Sequence, residues 1–493
     1  MQNWIENELE TSEIGDTRLD ARYKIIMNDL SQKPSFSIPA ACNGWKDTFA
    51  AYRFFANERT DAESILKPHQ NATLKRIQEQ KIVLAAQDTT EIDVTRRHEE
   101  MAGAGPLSEA NRLGFFNHTM LAVTSDRIPL GVILSQIYSR DMEEFLNNRK
   151  NKKNKVKKRK QKPIEEKESY RWLLGYQKAC EVQSQCPETQ IICISDSEGD
   201  IYECHLEGDS GDNNECKADW IIRACQDRSV QGVAIGYTYP KLWLEAAKAE
   251  IMGLVEIEVT GNEPKSKDSR WRRQKRTGRI TAATVQAKEL EIKAPYRKGQ
   301  KFSNVKLNVV FVSEAEPPEG EPPVEWLLLT SLPIGTFEEA CMIIEYYCCR
   351  WQIEIYFRVL KSGCKVEDLQ SESADRFIPC LTMYMIIARR VMFLLMPGRK
   401  CPDMPCDAVF SDDEWQSVYV IVKKKQLPEE VPKLEEIVKI ISGLGGYLGR
   451  KHDGPPGPKA MWIGLQRMSD YALAWRTFKA IKKPYIGRKN NCV

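Results

Sequence analysis

The sequence lacks the familiar catalytic signatures of nucleotide hydrolases, serine hydrolases and zinc peptidases. Gly-Lys, the dipeptide that a phosphate-binding P-loop requires, does not occur. The patterns G-x-S-x-G and H-E-x-x-H do not occur either. Any catalytic function must therefore rest on another arrangement of polar residues.

Long hydrophobic runs are also missing. The best one, 381–396, is interrupted by Arg389 and Arg390 and stays short of the ~20 residues that a membrane helix needs. The first residues show no basic start followed by an apolar stretch, so no secretory signal is visible. We therefore expect a cytoplasmic protein with no membrane partner.

A cysteine pattern for metal binding is absent as well. The chain contains fifteen cysteines but no C-x-x-C pair, and it has only five histidines. Many of the cysteines lie in apolar stretches, which is typical of reduced, buried thiols. We expect no structural zinc site.

The positive charge of the chain is concentrated in two segments. The net charge is only +3, but residues 149–162 hold ten Lys or Arg and no acid, so the rest of the chain is net negative. A second segment, 265–279, holds eight basic residues, one Asp and an interleaved Trp271. A solvated loop explains one such run, whereas two runs are consistent with binding to phosphates, where affinity comes from released counterions.

With 493 residues and an ordinary content of apolar and charged residues, the chain has room for two to four globular domains. Residues 1–66 have helical spacing, including a capping turn before a helix at 19–30 and a second helix at 48–55. From residue 81 the pattern changes to three strands, 81–88, 116–124 and 128–138, the last two forming a hairpin. Helices and strands then alternate up to residue 224, which predicts an α/β fold.

A β-rich interruption follows at about 237–323, where period-two strands surround the second basic segment. We interpret it as an inserted β subdomain. A buried strand at 325–332 and one long helix, from Thr336 to about Lys361, resume the α/β core. After residue 400 the chain is predicted to be helical.

Two acids follow apolar strands. Asp88 closes the apolar run 81–87, and Asp196 closes 190–195. A single Asp in such a place is usually a turn former. Two acids at the ends of core strands of one sheet are less ordinary and are candidates for a catalytic site.

The helix at 347–361 carries a polar stripe beside an apolar one. At 100° per residue, Tyr347, Arg350, Glu354 and Lys361 fall within a band ~60° wide. By periodicity alone, an ordinary solvated face with an Arg350 and Glu354 ion pair is the more usual explanation of this band.

The spacing Tyr-x-x-Arg-x-x-x-Glu-x-x-x-x-x-x-Lys, with Trp directly after the Arg, resembles the signature of the insertion-sequence-four family of bacterial DDE transposases, the group with the Tn-five-like enzymes. Other segments resemble the family in the same order along nearly the whole chain. They are GDTRLDAR, AYRFF, QDTT, EKESYRW, SDSEGDI, EWLLLTS and PGPKAMWIGLQRM. The basic run at 149–162 departs from the family pattern.

The resemblance implies an RNase-H-like catalytic core in which Asp88, Asp196 and Glu354 are the catalytic acids and the metal ligands. Phosphodiester cleavage needs an activated nucleophile and charge neutralisation on the leaving oxygen, and two divalent ions ~4 Å apart supply both. Hard carboxylate oxygens suit two Mg²⁺ ions, with Mn²⁺ as a substitute. Tyr347, Arg350 and Lys361 are then expected to bind phosphates of the DNA.

The same resemblance implies three regions: a helical N-terminal DNA-end-binding domain (1–66), the catalytic domain (67–400) and a helical C-terminal dimerisation region (401–493). The expected activity is cut-and-paste transposition, with hairpin ends and a homodimer that joins inverted terminal repeats to target DNA. Matching the segments GDTRLDAR and AYRFF places DNA-end contacts on Arg18, Arg22 and Arg53. The expected location is the bacterial cytoplasm, in association with the nucleoid.

Two other classes stay open. An RNase-H-like nuclease acting on branched DNA or RNA hybrids would use the same three acids without an end-recognition module. A non-mobile DNA-binding descendant would keep the basic segments and lose an acid, but all three acids are present.

Overall fold

The fold is described from a computed structural model. It describes residues 4–42, 44–96, 100–109, 111–150, 162–209, 217–233, 239–259, 261, 276–297, 301–396, 402–450 and 452–481. Of the two basic segments, 149–162 and 265–279, residues 151–161 and 265–275 lie outside the described residues.

The N-terminal part is helical, as predicted. Its helices are α1 (Trp4–Glu8), α2 (Thr17–Gln32), α3 (Ile38–Ala41), α4 (Trp45–Phe55) and α5 (Ala62–Gln78). The Asp16 side chain caps α2 by accepting a hydrogen bond from the backbone N–H of Arg18. Phe54 of α4 stacks on Tyr23 of α2, with 5.9 Å between the ring centroids. Helix α5 runs through residue 66.

Within the described residues, ten strands form one mixed sheet at the centre of the molecule. Its strands are β1 (Ile82–Asp93), β2 (Gly105–Pro106), β3 (Leu113–Thr124), β4 (Pro129–Tyr138), β5 (Gln190–Ser195), β6 (Asp219–Arg223), β7 (Ile251–Val259), β8 (Arg279–Ile292), β9 (Val305–Glu314) and β10 (Glu325–Thr330). The strand order is β2-β3-β1-β5-β6-β10-β9-β8-β7, with β4 also paired to β3. The predicted hairpin of β3 and β4 is confirmed.

The central strands are apolar on both sides because helices cover both faces of the sheet. Leu84 and Ala86 of β1 face one core, and Val83 and Ala85 face the other. Helix α6 (Met142–Lys150) contributes no described residue to either core cluster. The second core is covered by α7 (Tyr170–Gln185), α8 (Tyr202–Gly208) and α9 (Leu242–Ala247), of which α7 supplies the buried Trp172. This arrangement is the α/β layout that the sequence predicts.

The β-rich interruption is continuous with the main sheet. Strands β7, β8 and β9 pair antiparallel in sequence order, and residues 308–313 of β9 pair with the full length of the core strand β10. The expected subdomain therefore extends the central sheet at one edge instead of forming a separate layer.

Two local predictions were wrong. Strand β1 does not end at Asp88, because residues 89–93 continue to pair with β3, whereas the pairing with β5 stops at Ala86. The long helix is not continuous either. It divides into α10 (Phe337–Cys348), α11 (Trp351–Arg358) and a π-helical turn (Val359–Gly363). At the first break Arg350 bonds to the carbonyl three residues back, at Tyr347, which tightens the helix locally.

The remaining helices are α12 (Ala374–Leu395), α13 (Asp412–Lys423), α14 (Leu434–Leu444) and α15 (Pro458–Ile481). Helix α12 is long and apolar enough to cross a membrane, but 83% of its most apolar window is buried inside the protein. It packs against β4, α5 and the π-helical turn, so it is a core helix that connects the N-terminal helices to the sheet.

Candidate functional site

Asp88 lies on β1, and Asp196 directly follows the neighbouring strand β5. The parallel pairing of β1 with β5 runs from Ile82 opposite Gln190 to Ala86 opposite Ile194. Continuing this register by two residues places Asp88 beside Asp196, on the face of the sheet to which Ala86 and Ile194 point. Asp196 also caps the short 3-10 helix Ser197–Gly199 by accepting from the Glu198 N–H at 2.8 Å.

Arg350 joins Asp88 to Glu354. Its guanidinium donates to Asp88 Oδ2 at 3.2 Å and to Glu354 Oε1 at 2.8 Å. The Arg350 side chain is only 7% exposed, so it does not lie on a solvated helix face. Within the described part of the chain its Nε has no hydrogen-bond partner, which leaves one buried donor for another acceptor.

The site holds more negative charge than Arg350 neutralises. Burial, together with the charge of Asp196, raises the pKa of Asp88 to about 7, even though Arg350 and a backbone N–H lower it. A carboxyl with such a pKa is poised to lose its proton when a cation approaches. Perturbed acids of this kind are typical of catalytic sites.

The other two residues of the polar stripe have different surroundings. Tyr347 is buried, with its ring 6.4 Å from that of Trp326, and burial raises its pKa. Lys361 lies in the π-helical turn, donates to the Glu91 carbonyl at 2.9 Å and pairs with Glu367 at 3.1 Å. Arg350 and Lys361 therefore contact β1 three residues apart, a separation of ~10 Å along the strand.

A chain of hydrogen bonds supports β1 from the opposite face of the sheet. Arg171 Nε donates to Thr89 Oγ1 at 2.9 Å, and Thr89 Oγ1 lies 2.9 Å from His118 Nδ1. His118 Nε2 lies 3.2 Å from Gln87 Oε1, and the Gln87 amide donates to Cys193 of β5.

Each hydrogen bond in this series is donated in the same direction, from Arg171 towards Cys193. Because Gln87 Oε1 can only accept, His118 carries its proton on Nε2, and its Nδ1 accepts from the Thr89 hydroxyl. Burial and the charge of Arg171 lower the pKa of His118 to about 3, so the ring is neutral. Arg171 also pairs with Glu198 at 3.1 Å, and so it connects the residue after Asp88 to the segment after Asp196.

These supporting residues were not identified from the sequence. Arg171 lies in the segment EKESYRW and Thr89 in QDTT, both of which the resemblance includes without a role. A role for Arg171 and Thr89 can be recognised only once the β1–β5 register is known, because this register places Gln87 and Thr89 opposite α7. Gly175 of α7 is needed there, since an added Cβ would lie 2.0 Å from Gln87 Oε1.

The three N-terminal arginines are far less enclosed. Arg18 pairs with Asp16 at 3.0 Å and its side chain is 90% exposed. Arg22 pairs with Asp47 at 3.2 Å, which connects α2 to α4. The guanidinium of Arg53 lies 6.0 Å from the ring centroid of Phe49. The structure does not bring any of the three into the cluster around Asp88.

The donor set fits a hard divalent cation, since Asp88, Asp196 and Glu354 offer only carboxylate oxygens. Among the residues that the structure describes, however, no group of three or more His, Cys, Asp or Glu side chains is close enough to hold an ion. Asp88 and Glu354 instead both accept hydrogen bonds from the Arg350 guanidinium.

Comparison with solved structures finds a cryo-EM structure of a piggyBac transposase synaptic complex with hairpin DNA. The identity is 9%, the match covers 98% of this chain and 78% of that chain, and the TM-score is 0.34. A likeness this distant adds nothing to the argument.

Comparison with protein families gives three matches in chain order. Residues 1–60 match a family described as "Transposase DNA-binding", and residues 386–482 match "Transposase Tn5 dimerisation domain". Residues 134–387, more than half of the chain, match "Transposase DDE domain". This last segment contains Asp196, Arg350 and Glu354, the residues that meet beside Asp88. The chain belongs to the family of DDE transposases.

Proposed function

We propose that the protein is a cut-and-paste DNA transposase of the insertion-sequence-four type, which binds inverted terminal repeats, cleaves the DNA beside them and transfers the strands into target DNA. The observation that carries the proposal is the register that places Asp88 beside Asp196, with Glu354 connected to Asp88 through Arg350. The Tyr-Arg-Glu-Lys spacing of 347–361 supports the narrower family.

Asp88, Asp196 and Glu354 are proposed as the ligands of two Mg²⁺ ions, for which Mn²⁺ can substitute. Domains of this family generally use divalent metal ions. Such ions activate the attacking oxygen and stabilise the leaving 3′ oxygen when they are bound. Asp88 must then be ionised, and its pKa of about 7 allows this within the neutral range.

Arg350 could pair either with the carboxylates of Asp88 and Glu354 or with a DNA phosphate. Without DNA it neutralises Asp88 and Glu354, and its unpaired Nε is free to bind a phosphate. Transfer of the guanidinium to a DNA phosphate would free both carboxylates. Lys361, ~10 Å further along β1, would hold a phosphate beside the scissile one, whereas Arg350 would hold a phosphate of the opposite strand. Tyr347 lies close enough to Arg350 for the guanidinium to act on the pKa of its hydroxyl, and this hydroxyl is proposed to hold the same phosphate as Arg350.

Each of the three regions of the chain is proposed to have its own role. Residues 1–66 bind the terminal repeats through Arg18, Arg22 and Arg53. Residues 67–400 form an RNase-H-like catalytic domain, with a β insertion at about 237–323. Residues 401–493 join two copies into a homodimeric synaptic complex. The three family matches, which follow the same order, support this division.

The proposed chemistry has four steps. Water cuts one strand and leaves a 3′-OH, which attacks the opposite strand and seals the end as a hairpin. A second water opens the hairpin, and the restored 3′-OH attacks the target phosphodiester. Each step exchanges one oxygen for another at phosphorus, so one set of acids serves all of them.

The test uses duplexes that carry the inverted repeats flanking the gene, incubated with the full chain and Mg²⁺. We expect a nick at the repeat end, followed by a product that migrates as a covalently closed hairpin on a denaturing gel. A scrambled-repeat duplex is the control. Cleavage of plain RNA–DNA hybrids with no preference for the repeat would overturn the proposal in favour of a nuclease.

A further inference from the structure

Lys361 lies in a turn of unusual geometry. Residues Val359–Gly363 form a π-helical turn, which the Cys364 N–H closes by donating to the Val359 carbonyl at 2.8 Å. Such turns hold one residue more than an α-helical turn, are rare, and occur frequently at functional sites. The contacts that hold this turn therefore decide where the Lys361 ammonium lies.

On one side the turn contacts β1 through side chains that remain partly exposed. Lys361 donates to the Glu91 carbonyl at 2.9 Å and pairs with Glu367 at 3.1 Å, and both side chains of this pair are 28% exposed. Glu367 also accepts from the Asp93 N–H at 3.0 Å. Ion pairs that solvent reaches add little stability, so the backbone of the turn needs support from buried groups.

On the other side the turn packs against Trp462 of the C-terminal helix α15. A Cβ atom added at Gly363 would lie 3.0 Å from Trp462 Cε3 and 3.1 Å from its Cδ2, so the six-membered ring of the indole lies directly against the glycine. The φ angle of Gly363 is not positive, so glycine is needed here for space rather than for its backbone conformation. With only 7% of Trp462 exposed, this contact is a buried one.

Helix α15 is held closely enough to fix the position of this ring. A Cβ added at Gly464 would lie 1.9 Å from the carbonyl oxygen of Ile441 in α14. Gln466 accepts a hydrogen bond from Ser35 Oγ at 2.8 Å, which joins α15 to the segment after α2. The position of Trp462 is therefore set by neighbours outside the π-helical turn.

From these contacts we infer that Trp462 is a positioning residue, which holds the π-helical turn so that Lys361 reaches the DNA phosphate beside the scissile one. The inference rests on the proposed function and deepens it. The segment 386–482, which matches a transposase dimerisation domain, then also shapes the catalytic site of its own chain.

The effect of losing the ring follows from helix geometry. Without the indole the turn borders a cavity beside Gly363, and the extra residue of the turn is free to redistribute. Relaxation to α-helical geometry would rotate the side chains near the insertion by up to ~100°, the angle of one residue. Such a rotation would move the Lys361 ammonium away from Glu91 and from the phosphate, while Arg350, before the start of α11, would keep its place.

The test neutralises single phosphates in the DNA. In repeat-containing duplexes, each phosphate near the cleavage site is replaced in turn by an uncharged methylphosphonate, and the rate of the first nick by the full chain is measured with Mg²⁺. For the wild type we expect one position beside the scissile phosphate where the rate falls by about tenfold, the effect of one charged hydrogen bond. Lys361→Ala should cut unmodified DNA about tenfold more slowly and show no further loss at that position.

Trp462→Leu should reproduce the pattern of Lys361→Ala although Lys361 is intact. We expect it to lose the sensitivity at that one phosphate, to keep it at the others, and to cause no further slowing when Lys361→Ala is already present. Trp415→Leu, the same change at a 5% exposed tryptophan of α13, is the matched control and should keep the wild-type pattern.

Gly363→Ala provides a second variant in which the indole is retained. Its methyl group would push against the ring and should weaken the same methylphosphonate effect. Adding Trp462→Phe should restore the effect, because the smaller ring leaves room for the methyl group. Melting temperatures and sedimentation identify any variant that unfolds or fails to pair, and the Gly363 variants carry the test if Trp462→Leu is such a variant.

Several results would overturn the inference. They are a wild-type methylphosphonate pattern in Trp462→Leu and Gly363→Ala, an equal loss at every phosphate in these variants, and a loss shared by Trp415→Leu. If the wild type cuts the repeat DNA, each of these results leaves the proposed function intact. A wild type that does not cut at the repeat would instead refute the proposed function, and the inference with it.

Discussion

Arg350 donates a hydrogen bond to Asp88 at 3.2 Å, from the start of α11 to the middle of β1. The contact is enclosed, since the side chains of the two residues are 7% and 18% exposed. A buried cation that neutralises carboxylates stabilises the site without metal and competes with a metal for the same oxygens. When DNA and metal ions bind, we therefore expect Arg350 to leave the carboxylates and the metal ions to replace it as their positively charged partner.

Asp88→Asn should stabilise the metal-free protein at pH 8. The raised pKa means that the folded state holds the proton of Asp88 between about pH 4 and about pH 7, so this carboxyl costs stability as the pH rises through that window. After allowance for the lost bond to Arg350, we expect a gain of about 1–3 kcal/mol at pH 8 and none at pH 4.

Thermal unfolding in EDTA at the two pH values measures this effect. Adding Mn²⁺ should raise the melting temperature of the wild type and not that of Asp88→Asn, because only the wild type keeps the full ligand set. An equal response of both proteins to Mn²⁺ would remove Asp88 from the metal site.

Arg350→Ala and Lys361→Ala should fail at different steps. Their polar ends contact β1 at positions 88 and 91, so they cannot hold the same phosphate. We expect Arg350→Ala to allow the first nick and stall the hairpin, and Lys361→Ala to slow all steps. Time courses on end-labelled duplexes separate the steps. Equal losses at every step in both variants would indicate a structural role for the stripe.

Gly175→Ala should weaken the hydrogen bonds that support β1 on the face opposite Asp88 and Asp196. The new methyl group would lie 2.0 Å from Gln87 Oε1 and would displace the bond to His118. We expect a loss of about 1–3 kcal/mol in the free energy of unfolding and a higher Mg²⁺ requirement for cleavage. Gly443→Ala, where nothing lies within 4 Å, is the control and should be close to neutral. A normal Mg²⁺ requirement in Gly175→Ala would leave the hydrogen-bond chain without influence on the acids.

Residues 149–162 should add affinity for DNA without selectivity. Replacing them with a Gly/Ser linker of equal length should flatten the dependence of log K on log salt by about two to four units, since each phosphate contact contributes about 0.9. Preference for the repeat over random DNA should hardly fall, because phosphate contacts carry no base information. Binding titrations at several salt concentrations measure both quantities. An unchanged slope would mean that these lysines face solvent.

The sequence predicted the α/β layout well, because the relevant signals are local. The apolar strands 190–195 and 325–330, the β3–β4 hairpin and the Asp16 cap each depend on a few neighbouring residues. The sequence also offers Asp88, Asp196 and Glu354 as candidate acids, but only the family resemblance implies that they lie together, and no local pattern predicts their proximity. It depends on the register of β1 with β5, which pairs residues more than one hundred positions apart.

The predictions that were wrong failed because local sequence patterns do not report the contacts and backbone irregularities that decide these features. Strand β1 continues past Asp88 because β3 provides partners up to Gly114, a contact that no local pattern reports. The break at Cys349 and Arg350 and the π-helical turn at Val359–Gly363 interrupt a segment whose periodicity is fully helical. The hydrogen-bond chain through His118 joins four separate elements, β1, β3, β5 and α7.

The most direct test compares Glu354→Gln with Glu345→Gln, an exposed acid earlier on the neighbouring helix α10. The two variants have the same charge change, but only Glu354 contacts Arg350 beside Asp88. The measurement is the rate of Mg²⁺-dependent cleavage of repeat-containing DNA, with binding of the same DNA followed in parallel. We predict that Glu354→Gln binds DNA normally and does not cleave it, whereas Glu345→Gln cleaves at the wild-type rate. Cleavage by Glu354→Gln at the wild-type rate would contradict the assignment of the three acids.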